Sequence, residues 1–211
     1  MRRTWRSLVA AIAILAVGGT ASATALFPAT PQAAECQIAP LQPDELMATV
    51  AAGASAPVPL LATKRSVSED ELAAVTAVVV QSLACTNANQ PLRALAVFTD
   101  RYLAAHFAGD HGSDELGHLI AAASRTPTVA SPADEVALIS VTNPIAYNDG
   151  RIGITVTTAN ADDTFVDELI LAQTEDGWQI DQVISHDPQP DATPTASPTG
   201  QAGNRARTFV G

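Results

Sequence analysis

The stretch NDGRIGITVTT at residues 148–158 decides the fold. Its first three residues tolerate the positive φ angles that a tight hairpin turn requires. Ile152, Ile154 and Val156 then alternate with small or polar residues, which is the period of a strand with one buried face. The sequence therefore predicts a β-hairpin whose second strand covers residues 151–158.

The same alternation recurs on both sides of this hairpin and predicts three more strands. One precedes it, at residues 136–147, and is interrupted by Asn143 and Pro144. Two follow, at residues 164–173 and 178–185, with an Asp-Gly turn between them. Four consecutive strands joined by short turns predict an antiparallel sheet.

Apolar residues at helical spacing occupy the part of the chain before the sheet. A helix over residues 69–84 is predicted to begin with a capping box formed by Ser68 and Glu71. A second helix is predicted to begin at Pro91, and a third to be capped by Ser113. Helices followed by strands predict an α+β domain, in which three N-terminal helices pack on one face of a curved four-stranded sheet.

The regions that flank this domain have different compositions. Residues 1–34 are predicted to be a signal peptide and leader, because three arginines precede an apolar run and small residues. Residues 35–67 form a proline- and alanine-rich arm, and residues 68–186 form the domain. Residues 187–211, rich in Pro, Thr, Ser and Gly, are predicted to be a disordered tail. The protein is therefore expected to be secreted or at the cell surface, and to meet a membrane only if the leader is uncleaved.

The charge of the chain limits its partners. Eleven basic residues against 22 acidic ones give a net charge of -11. Such a chain is repelled by nucleic acid and by anionic lipid surfaces. Nucleic acid is therefore excluded as a partner.

Cys36 and Cys85 are the two cysteines of the chain. In the oxidising compartment that the leader implies, two cysteines in one small domain predict a disulfide. No grouping of cysteine and histidine has the spacing of a zinc site. We therefore expect no metal, and the sequence contains no cofactor-binding motif.

Three stretches give the chain a resemblance to a known fold. They are LRALAVFTDRYL at residues 92–103, DGRIG at 149–153 and EDGWQID at 175–181. Together with the order of helices and strands, they resemble the NTF2-like superfamily, which includes SnoaL-like cyclases and ketosteroid isomerases. The resemblance covers residues 69–185 and implies a cone-shaped domain with a pocket between sheet and helices. It implies no particular activity, because this fold carries enzymes and binding domains alike.

Asp167 is the strongest candidate for a catalytic residue. It shares one face of its predicted strand with Phe165 and Leu169, and an unpaired carboxylate costs several kcal/mol to bury. It is either a general base within the pocket or a solvated residue at the rim of the sheet. In a pocket that resembles that of ketosteroid isomerase, Tyr102 would donate a hydrogen bond and Asp100 would supply a second carboxylate.

Four aromatic residues are candidates for binding a ligand: Phe98, Tyr102, Phe165 and Trp178. The alternative is that they only fill the core of an alanine-rich domain. His106, His111 and His118 lie among acidic residues, but this group has the features of a solvated surface.

The sequence leaves two classes of function open. The first is an exported, non-catalytic module that binds a small apolar ligand or a protein partner, with a homodimer through the sheet as one option. The second is a cofactor-independent, SnoaL-like or isomerase-type enzyme that uses a pocket carboxylate.

Overall fold

The structure is a computed structural model that describes residues 29–186. The predicted tail and the first 28 residues, which include the arginines and the apolar run of the leader, lie outside the described residues. Ala29 pairs with Leu138 through two backbone hydrogen bonds of 2.8 and 3.0 Å. The described chain therefore begins against the sheet.

Five α-helices precede the sheet in the described chain. They are α1 (Pro43–Ala52), α2 (Glu69–Asn87), α3 (Pro91–Ala94), α4 (Asp100–His106) and α5 (Gly109–Ala123). Helix α2 begins with the predicted capping box. The Ser68 hydroxyl accepts a hydrogen bond from the Glu71 amide, and the Glu71 carboxylate accepts one from the Ser68 amide. No helix within residues 29–186 has the length and apolar character needed to cross a membrane.

The prediction of a single second helix is wrong, because the chain is extended at Phe98. Phe98 forms a parallel bridge with Ile180, and the Thr99 amide donates a 2.9 Å hydrogen bond to the Ile180 carbonyl. The Thr99 hydroxyl then accepts a hydrogen bond from the Tyr102 amide and caps α4. Pairing with a distant strand therefore divides the predicted helix into α3, a short 3-10 helix and α4.

The predicted cap of the third helix is also wrong. Helix α5 begins at Gly109, and the Ser113 hydroxyl donates to the Gly109 carbonyl within the helix instead of capping it. Gly112 allows this earlier start, because a Cβ atom there would lie 2.4 Å from the backbone carbon of Phe107. The first turn of α5 therefore packs directly on the end of α4.

The predicted antiparallel sheet of four strands is confirmed. Its strands lie in chain order: β1 (Ala137–Ala146), β2 (Ile152–Ala159), β3 (Thr164–Thr174) and β4 (Gly177–His186). The register of β1 shifts between Thr142 and Ile145, around the predicted interruption, where Asn143 has a φ of 51°. The register of β4 shifts at Asp181, which is an extra residue opposite Ile170 and Leu171.

Helices α2 and α4 pack on the sheet, the other helices pack mainly on helices, and the predicted α+β class is confirmed. Helix α2 contributes Val75, Val79 and Leu83 to the core. The sheet contributes the apolar residues Ile152, Ile154, Val156, Leu169, Leu171 and Ile180. The predicted disulfide between Cys36 and Cys85 is present and joins the arm to the end of α2.

Candidate functional site

A small cavity lies between α2 and the sheet. Its walls are mostly apolar and are formed by Val79, Ser82, Leu83, Phe98, Val156, Thr158, Asp167, Leu169, Ile180 and Val183. The centre of a water molecule has about 20 Å³ of free space there. This is room for about one water molecule or a chemical group of similar size.

Asp167 is the charged residue of this cavity. It lies on β3 opposite Val156 of β2 and Ser185 of β4, and it is only 5% exposed. Within residues 29–186, no hydrogen bond or ion pair reaches its carboxylate. The structure therefore places Asp167 in the interior and not at a solvated rim, and leaves its charge without a direct partner.

Thr158 supplies a second unpartnered polar group. It lies on β2, two residues beyond Val156 on the same face, which makes it a diagonal neighbour of Asp167. Thr158 is 3% exposed, and within the described residues its Oγ1 is the buried side-chain oxygen that has no hydrogen-bond partner. Ser82 of α2 adds another hydroxyl to the cavity wall. Three polar side chains therefore meet within an apolar enclosure.

Tyr102 lies close enough to Asp167 to respond to its charge. Burial of the Tyr102 phenol, together with the negative charges of Asp167 and Glu115, raises its pKa to about 12. Tyr102 therefore remains a neutral hydrogen-bond donor across the physiological pH range.

Phe98, Tyr102 and His106 form an aromatic ladder that runs from the cavity wall onto α4. The Tyr102 ring stacks on Phe98, with 4.7 Å between centroids, and on His106, with 5.5 Å. Phe98 is buried in the cavity wall, whereas Tyr102 and His106 are half-buried. The ladder therefore connects the cavity to the protein surface.

The group of histidines and acids forms no metal site in the described part of the chain. His106 Nε2 lies 3.9 Å from Glu115 Oε1, beyond hydrogen-bond distance. His111, Asp114 and His118 are exposed on α5. They lie on the surface, as their sequence pattern indicates.

The structure brings together only part of the predicted site. Asp167 and Phe98 line the cavity, and Tyr102 is within electrostatic reach of Asp167. Asp100 is exposed in the first turn of α4 and lies outside the cavity. Phe165 and Trp178 are partly buried but do not line it.

Sequence reasoning missed Thr158 and Ser82 as members of the site. The signal for Thr158 was its position on the same strand face as the apolar Ile154 and Val156. Ser82 gave a weaker signal, because a single serine within a helix is usually solvated.

A second polar cluster lies beside the cavity and was also missed. The Asp181 carboxylate accepts hydrogen bonds from Thr99 at 2.9 Å, from Arg101 at 2.6 and 2.9 Å, and from Arg151 at 3.1 Å. Burial opposes the charge of Asp181, but the hydrogen bonds from Arg101 and Thr99 keep its pKa below the ordinary value. We call these four residues the Asp181 clasp.

The clasp is a structural feature, because its charges are paired. Its members come from the three stretches on which the resemblance to the NTF2-like superfamily rests. Arg151 also donates to the carbonyl of Val58, so the clasp holds the arm as well as α4, β2 and β4. Those stretches therefore meet at one ion-pair network, and two of them also reach the cavity through Phe98 and Ile180.

Comparison with known proteins finds no family model, no curated protein and no solved structure that matches this chain.

Proposed function

We propose that this chain is an exported, non-catalytic NTF2-like module that binds a small, mainly apolar ligand in the cavity between α2 and the sheet. The order of five helices and a four-stranded antiparallel meander supports this kind of domain. The disulfide supports export, because such bonds form and persist mainly in oxidising compartments.

One observation carries the proposal: the cavity is apolar except for polar groups that lack partners within the described chain. Small-molecule sites have this character, in which apolar walls bury the ligand and a few polar groups orient it. Buried polar groups are almost always hydrogen-bonded, to protein, water or ligand. The Asp167 carboxylate and Thr158 Oγ1 are therefore the groups with which a ligand in the cavity would form hydrogen bonds.

The size of the cavity determines how a ligand would sit. With about 20 Å³ free for a water centre, the cavity takes the leading polar group of a ligand and not its whole body. The body of the ligand would lie against the partly exposed wall of the cavity, at Val183.

Nuclear magnetic resonance (NMR) titration of the disulfide-bonded protein tests this proposal. We expect butane, propanol and propylamine, or some of them, to shift the amide signals of Ser82, Thr158, Asp167 and Leu169 in a saturable manner. Ser82→Leu fills the cavity with a larger side chain and should abolish these shifts. Ala77→Leu enlarges a side chain on the exposed face of the same helix and should leave them unchanged. The proposal fails if no probe shifts these signals, or if Ser82→Leu leaves the shifts intact.

The proximity of Tyr102 to Asp167 favours a second candidate function. In a cofactor-independent enzyme, Asp167 would take a proton from carbon next to a carbonyl, and Tyr102 would donate a hydrogen bond to the oxygen that gains negative charge. Exchange of the α-protons of cyclopentanone for deuterium measures this step directly. If the protein accelerates the exchange, Asp167→Asn should slow it by about 100- to 10,000-fold. A rate equal to that of buffer alone excludes this candidate for that ketone.

A further inference from the structure

Resting on the proposed binding function, we infer that the ligand is a small organic cation, whose primary ammonium group enters the cavity and pairs with the Asp167 carboxylate. The inference rests on the charge of the site and on its hydrogen-bond capacity.

The charge of the site favours a cation. No lysine or arginine within residues 29–186 forms an ion pair with Asp167. Arg101 is paired with Asp181, and Glu115 adds a second negative charge near Tyr102. An anionic ligand would be repelled, and a neutral ligand would leave the buried carboxylate charge uncompensated.

The polar groups of the cavity match the donors of an ammonium group. A primary ammonium has three N–H donors and no acceptor. The cavity presents the Asp167 carboxylate, the unpartnered Thr158 Oγ1 and the Ser82 hydroxyl, each of which accepts hydrogen bonds. An ammonium group is also close to a water molecule in size, which is the size that the cavity accommodates.

Two carboxylates attract a cation to this region. Asp167 and Glu115 both lie within electrostatic reach of Tyr102, and Glu115 Oε1 lies 3.9 Å from His106 Nε2. The Tyr102 ring itself offers no free face to a cation, because it stacks on Phe98 and on His106. A cation is therefore attracted by the negative charges and not by the aromatic rings.

The test compares propylamine, propanol and propionate, which share a three-carbon chain and differ in their polar group. Each is titrated into the full exported chain in a buffer free of amines, and binding is followed by the amide signals of Thr158 and Asp167. We expect propylamine to bind about 10-fold or more tightly than propanol, because charge-assisted hydrogen bonds are the stronger ones. Propionate should not bind.

Three variants make the test specific. Asp167→Asn should weaken propylamine binding by about 10-fold or more while changing propanol binding little. Asp162→Asn removes the same charge from an exposed loop and should change neither. The amide spectrum of each variant shows whether the fold is retained. Thr158→Val keeps the side-chain shape but removes the hydroxyl, and it should weaken propylamine binding without any change at Asp167.

The outcomes separate this inference from the proposed function. Equal binding of propylamine and propanol in the cavity, or amine binding that survives Asp167→Asn, would overturn the inference and leave the binding module intact. If none of the small probes, including butane, reaches the cavity, the proposed function itself is overturned.

Discussion

At the scale of single residues, Asp167 sets the character of the site. Its carboxylate is buried among apolar side chains without a direct partner, which costs the folded state free energy. Asp181, by contrast, is equally well buried but is surrounded by donors from Thr99, Arg101 and Arg151. The two acids therefore differ: the Asp181 carboxylate is paired within the fold, whereas the Asp167 carboxylate is the group that we propose to meet a ligand.

Asp167→Asn should raise the free energy of unfolding by about 1 kcal/mol or more, because the variant removes an uncompensated buried charge and keeps the side-chain shape. Urea unfolding of both proteins at neutral pH measures the difference. The exposed Asp162→Asn should stay within about 0.5 kcal/mol of the parent protein. A stability loss in Asp167→Asn would mean that the carboxylate has a stabilising partner, contrary to our account.

Tyr102 should titrate near pH 12 in the folded protein, whereas an ordinary tyrosine titrates near 10. Because the folded-state pKa is raised, the stability that Tyr102 contributes is fully present below about pH 10. It is lost as the pH rises through about 12. Tyrosinate absorbance of the Tyr147→Phe protein isolates Tyr102, since the chain has two tyrosines.

The same titration reports on the neighbours of Tyr102. Asp167→Asn should lower the Tyr102 pKa, because it removes one of the two negative charges that raise it. Asp162→Asn is the control and should leave the titration unchanged. A Tyr102 pKa that does not respond to Asp167→Asn would place the phenol outside the reach of that carboxylate.

At the scale of elements, the junction of α4 and α5 positions the aromatic ladder. Phe107 ends α4 and is buried, and its backbone lies against Gly112 of α5. This close approach sets Glu115 beside His106 and within electrostatic reach of Tyr102. The outer end of the proposed site therefore depends on a contact that only glycine allows.

Gly112→Ala should destabilise the protein by about 1–3 kcal/mol, because the added Cβ would lie 2.4 Å from the backbone of Phe107 and one helix must move. Gly117→Ala is the matched change on the same helix, where nothing lies within 4 Å. It should stabilise the protein by about 0.5–1 kcal/mol through helix propensity alone. Thermal unfolding of the two variants should give shifts of opposite sign, and equal shifts would contradict the close packing.

The strands could be predicted from local sequence patterns more completely than the helices. The hairpin turn at residues 148–150 and the alternation of β2 depend on neighbouring residues, so the sheet was predictable. The break at Phe98 depends on a hydrogen bond from Thr99 to Ile180, which is far away in sequence and leaves no local pattern. Helical spacing on both sides of Phe98 therefore predicted a single helix.

Asp167 is the residue of the candidate site that the sequence marked most clearly. Asp167 was identifiable because an acid within an apolar strand face is costly. The hydroxyls of Thr158 and Ser82 carry no such signal, since their burial depends on how α2 crosses the sheet. Asp100 was grouped with the pocket by resemblance, but it is exposed in the first turn of α4 and does not line the cavity.

At the scale of the whole molecule, the cavity is held between two long-range connections. The disulfide joins the arm to the end of α2, and the Asp181 clasp joins α4 to β2, β4 and the arm. Helix α2 forms one wall of the cavity and the sheet forms the other. The connections therefore hold in place the two layers between which the ligand is proposed to bind.

Replacing both Cys36 and Cys85 by alanine should lower the free energy of unfolding by about 4 kcal/mol, as expected for a bond that closes a loop across 49 residues. Guanidinium unfolding of the variant and of the parent protein measures this loss. Reduction of the parent protein should produce a loss of similar size. Free thiols in the protein purified without reductant, or a loss below about 1 kcal/mol, would contradict a stabilising disulfide.

The central claim is that a ligand places its polar group beside Asp167, inside the cavity between α2 and the sheet. Nuclear Overhauser contacts between bound propylamine and assigned methyl groups test this most directly. We predict contacts from the ligand methylene protons to the methyl groups of Val156, Thr158 and Leu169, and their loss in Ser82→Leu. Contacts restricted to exposed side chains such as Leu61 or Val129, or no contacts at all, would contradict the claim.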